Sequence, residues 1–297
     1  MTTGPTRDLA EDALTEEVLA RFDTAPSERF RHLMQHLVGH LHAFAREMEL
    51  TEAEWAAAID FLTRVGQISS DRRQEVILLS DVLGLSMQVI GMAHPPTGGA
   101  TESTVFGPFY VGGAPTYRNG DDLANGARGE PCLVAGRVRS TTGEPIPHAR
   151  LEIWQADRDG LYDVQRPELS VAQGRGQLDA DDAGHFWFWT VKPEFYPIPD
   201  DGPVGELLRA ARRSPMRPAH IHFRVSAPGC QTVTTHVFAA GDPYLDADAV
   251  FGVKESLIAE LVRHEPGTAR DGTAQTAPFY TVDYDFVLPS ATERSRD

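Results

Sequence analysis

Apolar residues recur at helical spacing through the first third of the chain, from Asp8 to about Met92. The clearest repeat predicts a helix with one apolar face, formed by Phe30, Leu33, Leu37, Leu41 and Phe44. A short acidic segment, Thr15–Phe22, predicts a separate helix before it. We therefore expect the first third of the chain to be helical.

Polar residues mark where these helices begin. Ser27 stands just before the apolar repeat and can cap its helix. Thr51 and Glu54 form a capping box, in which the glutamate reaches back to the amide of the threonine. The segment Asp71–Gln74 is a weaker version of this signal, and an apolar helix is expected to run from it to about Ile90.

Proline and glycine interrupt the helical pattern at His94–Gly99, and the following residues to Pro131 show little periodicity. Alternating segments bounded by turn residues then predict short strands at 132–138, 149–155, 186–191, 220–226, 232–238 and 280–288. Brief helices are expected at 205–212 and 254–263. The pattern predicts an α+β protein, with a helical domain at residues 1–97 and an antiparallel β-sandwich at residues 98–297.

Composition narrows the classes of function. The chain has 297 residues and a net charge of -16, which argues against nucleic acid as the main partner. Its two cysteines, Cys132 and Cys230, are expected to be reduced thiols in a cytoplasmic protein. The N-terminus shows no signal peptide, and no apolar run approaches the length of a membrane span.

The predicted strand that begins at His220 carries candidate metal ligands. Strand side chains alternate between faces, so His220 and His222 share one face while Ile221 and Phe223 share the other. Two imidazoles on one face of a strand can form half of a metal site. Arg217 lies just before them, where it could face a bound anion.

Tyrosines in two loops are candidates for the other half of the site. Tyr162 follows an Asp-Gly turn, and Tyr196 lies in a proline-rich loop. A ferric ion can bind a phenol as phenolate, and two phenolates with two imidazoles would leave it room for an anionic substrate. Loop tyrosines also commonly pack or form hydrogen bonds, so the residues alone leave both interpretations open.

Two other features of the helical part also allow two interpretations. His32, His36 and His40 lie four apart on one helical face, where they could bind a metal or simply pack against another helix or subunit. Asp81 lies within an apolar segment and needs a partner if it is buried, either a structural hydrogen bond or a substrate.

The segments Leu151–Tyr162 and Arg217–Phe223 resemble signature segments of the intradiol ring-cleaving dioxygenases, and the resemblance covers most of the chain. It implies a non-haem ferric ion, Fe(3+), bound by Tyr162, Tyr196, His220 and His222. Tyr196 would be the ligand that leaves when substrate chelates the metal, and Arg217 would stabilise developing negative charge.

Four further segments, 162–165, 196–205, 235–238 and 241–254, are similar to those of family members that act on hydroxyquinol. Catechol and chlorocatechol enzymes typically have His-Ala-Asn where this chain has Gln155-Ala156-Asp157, and glutamine in place of His236. Segment 174–178 matches the family less well. The resemblance implies a substrate pocket formed by Leu78, Asp81, Val105, Phe106, Gly107, Pro108, Ile198, Pro199, Arg217 and Val250.

The activity implied by this resemblance is ring opening of hydroxyquinol (benzene-1,2,4-triol) by O2, in the catabolism of aromatic compounds. The product would be 3-hydroxy-cis,cis-muconate, which ketonises to maleylacetate, and Asp81 would accept a hydrogen bond from the extra hydroxyl. The alternatives are a catechol or chlorocatechol 1,2-dioxygenase and a sandwich without catalytic activity. Family members also imply a homodimer joined through the helical domain, in some cases with lipid at the interface.

Overall fold

The structure is a computed structural model that describes residues 11–70, 73–95 and 98–291. The predicted helix start at Asp8, the start of the capping signal at Asp71 and part of the proline-rich linker lie outside the described residues. The chain forms two compact units, residues 1–63 and residues 64–297. The boundary expected between residues 97 and 98, which would separate a helical domain from a β-sandwich domain, stays a prediction.

The first unit is helical, as its apolar periodicity predicts. It contains α1 (Glu11–Ala20), α2 (Glu28–Glu47) and the start of α3 (Glu52–Ile68), which continues into the second unit. The Ser27 hydroxyl accepts a hydrogen bond from the backbone N–H of Phe30 at 3.2 Å, which caps α2. The Thr51–Glu54 capping box is present, with a bond from the Thr51 N–H to Glu54 Oε2 at 2.9 Å.

The second unit begins with a bent helix pair and continues as a β-rich region. The predicted helix to about Ile90 is two helices, α4 (Glu75–Val82) and α5 (Leu85–Ala93), because Gly84 adopts a left-handed φ of 73° between them. Among the described helices none alone is long and apolar enough to cross a membrane, although α4 and α5 together, bent by 78°, would meet the criteria of length and composition.

Two five-stranded sheets form the β region. The first is built from β1 (Pro131–Ser140), β4 (His185–Val191), β10 (Leu261–His264), β13 (Phe279–Asp283) and β14 (Phe286–Leu288). The second has the order β3-β2-β7-β8-β9, formed by β2 (Arg150–Trp154), β3 (Arg175–Asp179), β7 (His220–Ser226), β8 (Val233–Ala239) and β9 (Ile258–Ala259).

Smaller elements complete the second unit. Two-stranded sheets are formed by β5 (Tyr196–Pro197) with β6 (Met216–Arg217), and by β11 (Gly267–Thr268) with β12 (Ala274–Gln275). The remaining helix is α6 (Pro203–Ala210), close to the helix predicted at 205–212. Short 3-10 helices occur at Asp163–Gln165, Leu245–Ala247 and Glu255–Leu257.

Apolar side chains from both large sheets form one buried core. Val134 and Phe188 from the first sheet lie in the same apolar cluster as Leu151, Ile221 and Phe223 from the second. This packing of one sheet on the other fits a sandwich and explains why strand residues alternate between apolar and polar. The α+β class, with helices first and a β-rich region after, is confirmed.

The prediction of a purely antiparallel sandwich is wrong. β1 pairs in parallel with β13 and with β14, and β8 pairs in parallel with β9. Parallel neighbours need a long connection, and each of these pairs is separated in the chain by many residues that supply one. Alternation within a strand reveals its faces but not the direction of its partner.

Two local predictions in the C-terminal part also need correction. The helix expected at 254–263 is a 3-10 turn followed by β9 and β10, because those residues pair with β8 and β13 at sheet edges. The single strand expected at 280–288 is divided into β13 and β14.

Candidate metal centre

Strand β7 holds the two candidate histidine ligands on one face. It lies between β2 and β8, and Ile221 and Phe223 point into the apolar core. His220 and His222 therefore share the opposite face, where both are buried, and their Nε2 atoms lie 3.2 Å apart. The alternation predicted from the sequence is confirmed for this strand.

The two candidate tyrosines are brought to the same place by different local structures. Tyr162 follows a turn in which Asp157 Oδ1 accepts the backbone N–H groups of Asp159 and Leu161. Tyr196 begins β5, which pairs with β6 so that Tyr196 lies opposite Arg217. Because β6 leads directly into β7, this pairing brings Tyr196 close to the histidines.

Four donor atoms converge in this buried region. The hydroxyl oxygens of Tyr162 and Tyr196 are 2.9 Å apart, and Tyr196 Oη is 3.4 Å from His220 Nε2. The fourth donor, His222 Nε2, lies 3.2 Å from His220 Nε2. The structure thus brings together all four residues that the resemblance implied as metal ligands.

The protonation of these side chains suits metal binding. Burial lowers the pKa of His220 to about 3 and also lowers the pKa of His222, so both imidazoles are neutral. His220 Nδ1 donates to the carbonyl of Pro218 at 2.6 Å, which leaves the Nε2 lone pair facing the cluster, where Arg217 Nη1 lies 3.2 Å from it. Burial raises the pKa of Tyr162 and of Tyr196, so each phenol keeps its proton unless a cation compensates the phenolate.

The donor set therefore fits a transition metal ion. Two imidazole nitrogens and two phenol oxygens meet at hydrogen-bonding distances inside the protein. His222 Nδ1 is buried without a hydrogen-bond partner among the described residues, and His222 Nε2 faces the cluster, 3.2 Å from His220 Nε2. Such a set of nitrogen and oxygen donors is typical of transition metal sites.

A third histidine, His236, completes the group of imidazoles. Ligand atoms of His220, His222 and His236 all lie within 4.8 Å of one another. His236 Nδ1 is hydrogen-bonded to the hydroxyl of Thr104, and His236 Nε2 lies 3.4 Å from both terminal nitrogens of Arg217. In the sequence, His236 is notable only because catechol enzymes have glutamine there, and it is not predicted to be part of the site.

Strand register was the signal that could have placed His236 here. His222 and His236 are direct neighbours across β7 and β8. The group of potential ligands that converges among the described residues does not include His32, His36 and His40 of α2, and both interpretations of that stripe stay open.

Arg217 is buried beside this cluster and keeps its charge. Its Nε and Nη2 donate to the two carboxylate oxygens of Asp248, at 3.1 and 3.4 Å. Burial acts against the charge, but Asp248 outweighs it, and the pKa of Arg217 is raised above its usual value. Arg217 is therefore a permanent cation, and its Nη1 lies 3.2 Å from His220 Nε2.

A cavity of about 520 Å³ opens next to the cluster. Its wall includes Tyr196 together with four of the predicted pocket residues, Leu78, Pro108, Ile198 and Pro199. Of the four candidate ligands, Tyr196 is the one whose side chain borders this cavity. Its volume is in the range typical of sites for small molecules.

The other predicted pocket residues lie outside this cavity wall. Val105 and Val250 pack with Leu78 and Ile198 in one buried apolar cluster, and a Cβ on Gly107 would lie 3.1 Å from the ring of His222. Phe106 contacts the rings of Tyr110 and of the buried Trp154, and Trp154 is itself stacked on His222 with ring centroids 4.7 Å apart.

Asp81 is a buried carboxyl on α4. Only 2% of its surface is exposed, and burial raises its pKa against the opposing influence of Ser86 and the charge of Arg217. Asp248 also contributes to the shift in pKa, so Asp81 feels both members of the buried ion pair. It is therefore electrostatically connected to the candidate site.

Comparison with known proteins places this architecture in a family. A family model described as "Dioxygenase" matches residues 105–290, and one described as "Catechol dioxygenase N terminus" matches residues 27–101. The chain belongs to the intradiol ring-cleavage dioxygenases.

Individual relatives are similar over most of their length. The chain is 56% identical over 275 residues to a 6-chlorohydroxyquinol 1,2-dioxygenase of Cupriavidus pinatubonensis, covering 93% of this chain and 96% of that protein. It is 54% identical to a hydroxyquinol 1,2-dioxygenase of Rhodococcus opacus, covering 87% and 86%. The solved hydroxyquinol 1,2-dioxygenase of Pseudomonas putida DLL-E4 has a TM-score of 0.87 and 44% identity, covering 94% and 98%.

Proposed function

We propose that this protein is an intradiol dioxygenase that cleaves hydroxyquinol between its adjacent hydroxyl groups. The reaction consumes one O2, yields 3-hydroxy-cis,cis-muconate and leads to maleylacetate. The observation that carries the proposal is the buried convergence of Tyr162, Tyr196, His220 and His222 beside a cavity. Relatives that are 54% and 44% identical and named for hydroxyquinol support this choice of substrate.

The four convergent residues would hold a non-haem ferric ion, and the donor set fits it. Two phenolates reduce the charge of the ion and favour the ferric state, while the neutral imidazoles complete its ligands. When bound, this ion would supply Lewis-acid activation of the substrate diol and a template for its orientation.

Tyr196 is the residue that we expect to exchange with substrate. Its side chain borders the cavity and lies on a two-residue strand, whereas Tyr162 is fully buried. Burial raises the pKa of the Tyr196 phenol, so a phenolate at Oη would readily take a proton from a substrate hydroxyl. Tyr196 thus serves as ligand and as proton acceptor.

Arg217 supplies a fixed positive charge to the same region. Its guanidinium is buried and held by Asp248, so it does not need to reorganise when negative charge develops on the substrate ring. Leu78 and Ile198 provide apolar surface in the cavity wall that orients the ring and limits the access of water, and Val105 packs with them.

Asp81 gives a physical reason for preferring a triol. Its buried carboxyl already has a hydrogen bond from Ser86, and the additional hydroxyl of hydroxyquinol can donate a second one. Catechol lacks that hydroxyl and would leave this second acceptor position of Asp81 unfilled, and sites of this kind discriminate against the analogue.

Oxygen uptake by the iron-loaded protein tests the proposal. Hydroxyquinol, 6-chlorohydroxyquinol and catechol are compared after correction for autoxidation, with maleylacetate measured as the product of the first. We expect uptake with hydroxyquinol to be faster than with catechol by more than about tenfold. Preference for catechol would refute the assignment of the pocket, and no uptake from iron-loaded protein would refute the proposed activity.

The Asp81→Asn variant tests the basis of selectivity. We expect the ratio of kcat/KM for hydroxyquinol to kcat/KM for catechol to fall by at least about tenfold, because the amide also donates hydrogen bonds and loses the charge. Catechol serves as the internal control for an intact site. An unchanged ratio would show that Asp81 is a structural residue only.

A homodimer formed through α2 is also proposed. Five apolar side chains on this helix and that of its C-cap residue, Met48, are about half exposed or more; the five are Phe30, Leu33, Leu37, Leu41 and Phe44. An exposed apolar stripe of this length is typical of an interaction surface. Sedimentation of the wild type and of Leu37→Glu tests this: we expect a dimer and a monomer, respectively. Lipid at the interface stays a prediction that solvent extraction and mass spectrometry can test.

A further inference from the structure

Besides its contact with His220 Nε2 at 3.2 Å, the Arg217 guanidinium lies between two further acceptors. On one side Asp248 receives Nε and Nη2, and on the other side His236 Nε2 lies 3.4 Å from Nη1 and Nη2. His236 is itself fixed by a hydrogen bond between Nδ1 and the hydroxyl of Thr104. With Nδ1 donating to that hydroxyl, Nε2 is left as an acceptor for the guanidinium.

Asp248 is held in turn by its own loop. Its Oδ1 accepts the backbone N–H of Val250 at 3.3 Å, and its Oδ2 accepts the backbone N–H of Gly252 at 2.8 Å. The side chain of Asp248 is 2% exposed, so these bonds are shielded from water. The carboxylate is thus held in place by hydrogen bonds from Arg217 and from the backbone of its own loop.

Gly252 allows this close arrangement. A Cβ at that position would lie 3.2 Å from Asp248 Oδ2 and 3.3 Å from Arg217 Nη2, which is tighter than ordinary contacts. The loop therefore approaches the ion pair more closely than a residue with a side chain would permit.

We propose that Asp248 is a positioning residue for catalysis, which orients the Arg217 guanidinium toward the metal centre and fixes the backbone of Val250, whose side chain packs with the cavity residues Leu78 and Ile198. One carboxylate makes both connections, because the oxygens that receive the guanidinium also receive the N–H groups of Val250 and Gly252. Planar guanidinium groups keep a fixed direction when a carboxylate binds two of their nitrogens. This inference rests on the proposed function, since it concerns the action of Arg217.

The Asp248→Asn variant removes the charge and retains the size of the side chain. We expect kcat with hydroxyquinol to fall by about tenfold to a hundredfold, because small displacements of a catalytic group have effects of this size. KM should change by less than about threefold, while iron content and the ferric absorption band stay as in the wild type. Asp246→Asn, at an exposed position in the same loop, is the matched control and should behave as wild type.

Unfolding of the iron-free protein tests the ion pair independently of activity. Arg217→Gln leaves Asp248 buried without its partner, so adding Asp248→Asn should remove part of that cost. If the two substitutions acted independently, their effects on the unfolding equilibrium constant would multiply. We expect that constant for the double variant to favour the folded state by at least about tenfold more than this product predicts. Losses that simply multiply would overturn the inference.

Other outcomes also decide the matter. A kcat of Asp248→Asn within about twofold of the wild type, or a loss of kcat that follows loss of iron, would overturn the positioning role. Gly252→Ala provides a second variant if Asp248→Asn does not fold, because it displaces the same pair while retaining both charges, and it should lower kcat without changing the ferric band. A wild-type protein that is inactive with hydroxyquinol would instead refute the proposed function, while the unfolding cycle still reports on the pair.

Discussion

Gly160 provides a direct way to disturb the candidate metal centre without changing a ligand. The residue follows the turn before Tyr162, has a φ of 76° and packs against Tyr196. A Cβ at this position would lie 2.6 Å from the Cβ of Tyr196. The Gly160→Ala variant therefore pushes on the backbone end of a candidate ligand.

Gly229 is a matched control for this change. It has the same φ of 76° but no atom within 4 Å of the position of an added Cβ. Alanine in the left-handed conformation costs about 1–2 kcal/mol at either site. At Gly160 the overlap with Tyr196 should add about 1–3 kcal/mol, the usual cost of overpacking a buried position.

The assay is urea unfolding of the iron-free wild type, Gly160→Ala and Gly229→Ala. We expect the free energy of unfolding of Gly160→Ala to be lower than that of the control by about 1–3 kcal/mol. The iron-loaded Gly160→Ala protein should also show a weaker ferric-phenolate absorption band, whereas the control should not. Equal stability of the two variants with equal bands would refute the packing of Gly160 on Tyr196.

Three further predictions concern single side chains. Tyr196→Phe should weaken the ferric-phenolate absorption and slow oxygen uptake, and an unchanged spectrum would exclude Tyr196 as a ligand. Arg213 donates to the carbonyls of Val82 at 2.6 Å and Ala249 at 3.0 Å. Arg213→Met removes both bonds and should loosen the packing around the pocket. Steady-state kinetics should then show a KM for hydroxyquinol that is about threefold higher or more. A hydrogen bond from the Ser256 hydroxyl lowers the pKa of Glu102, so its contribution to stability is fully present above the unfolded pKa. Glu102→Gln should therefore lower Tm at neutral pH, and the difference in Tm should shrink as the pH falls below the unfolded pKa and vanish below the lowered folded pKa.

Local alternation and capping were sufficient to predict much of this protein from its sequence. The faces of β7 follow from a period of two, which places Ile221 in the core and His220 and His222 on the site face. The caps at Ser27 and Thr51 follow from local hydrogen bonding that needs no knowledge of the rest of the chain. These features are encoded by neighbours in sequence.

Features that depend on distant residues were not predictable in the same way. His236 reaches the site because β8 pairs with β7, and Asp248 reaches Arg217 because its loop folds back on itself. The parallel pairing of β1 with β13 and β14 depends on the long connection between them. Neither strand direction nor a buried ion pair leaves a periodic signal in the sequence.

The structure also gives the two tyrosines different surroundings that the sequence alone did not separate. Tyr162 is fully buried and stacked on Phe109, with ring centroids 4.5 Å apart, and its backbone N–H is bound by Gln165. Tyr196 borders the cavity and lies on a strand of only two residues. If one phenol leaves the metal when substrate arrives, less packing opposes the movement of Tyr196. A substrate that enters from the cavity would therefore reach Tyr196 before the other candidate ligands, since Tyr162, His220 and His222 are not among the residues that line it.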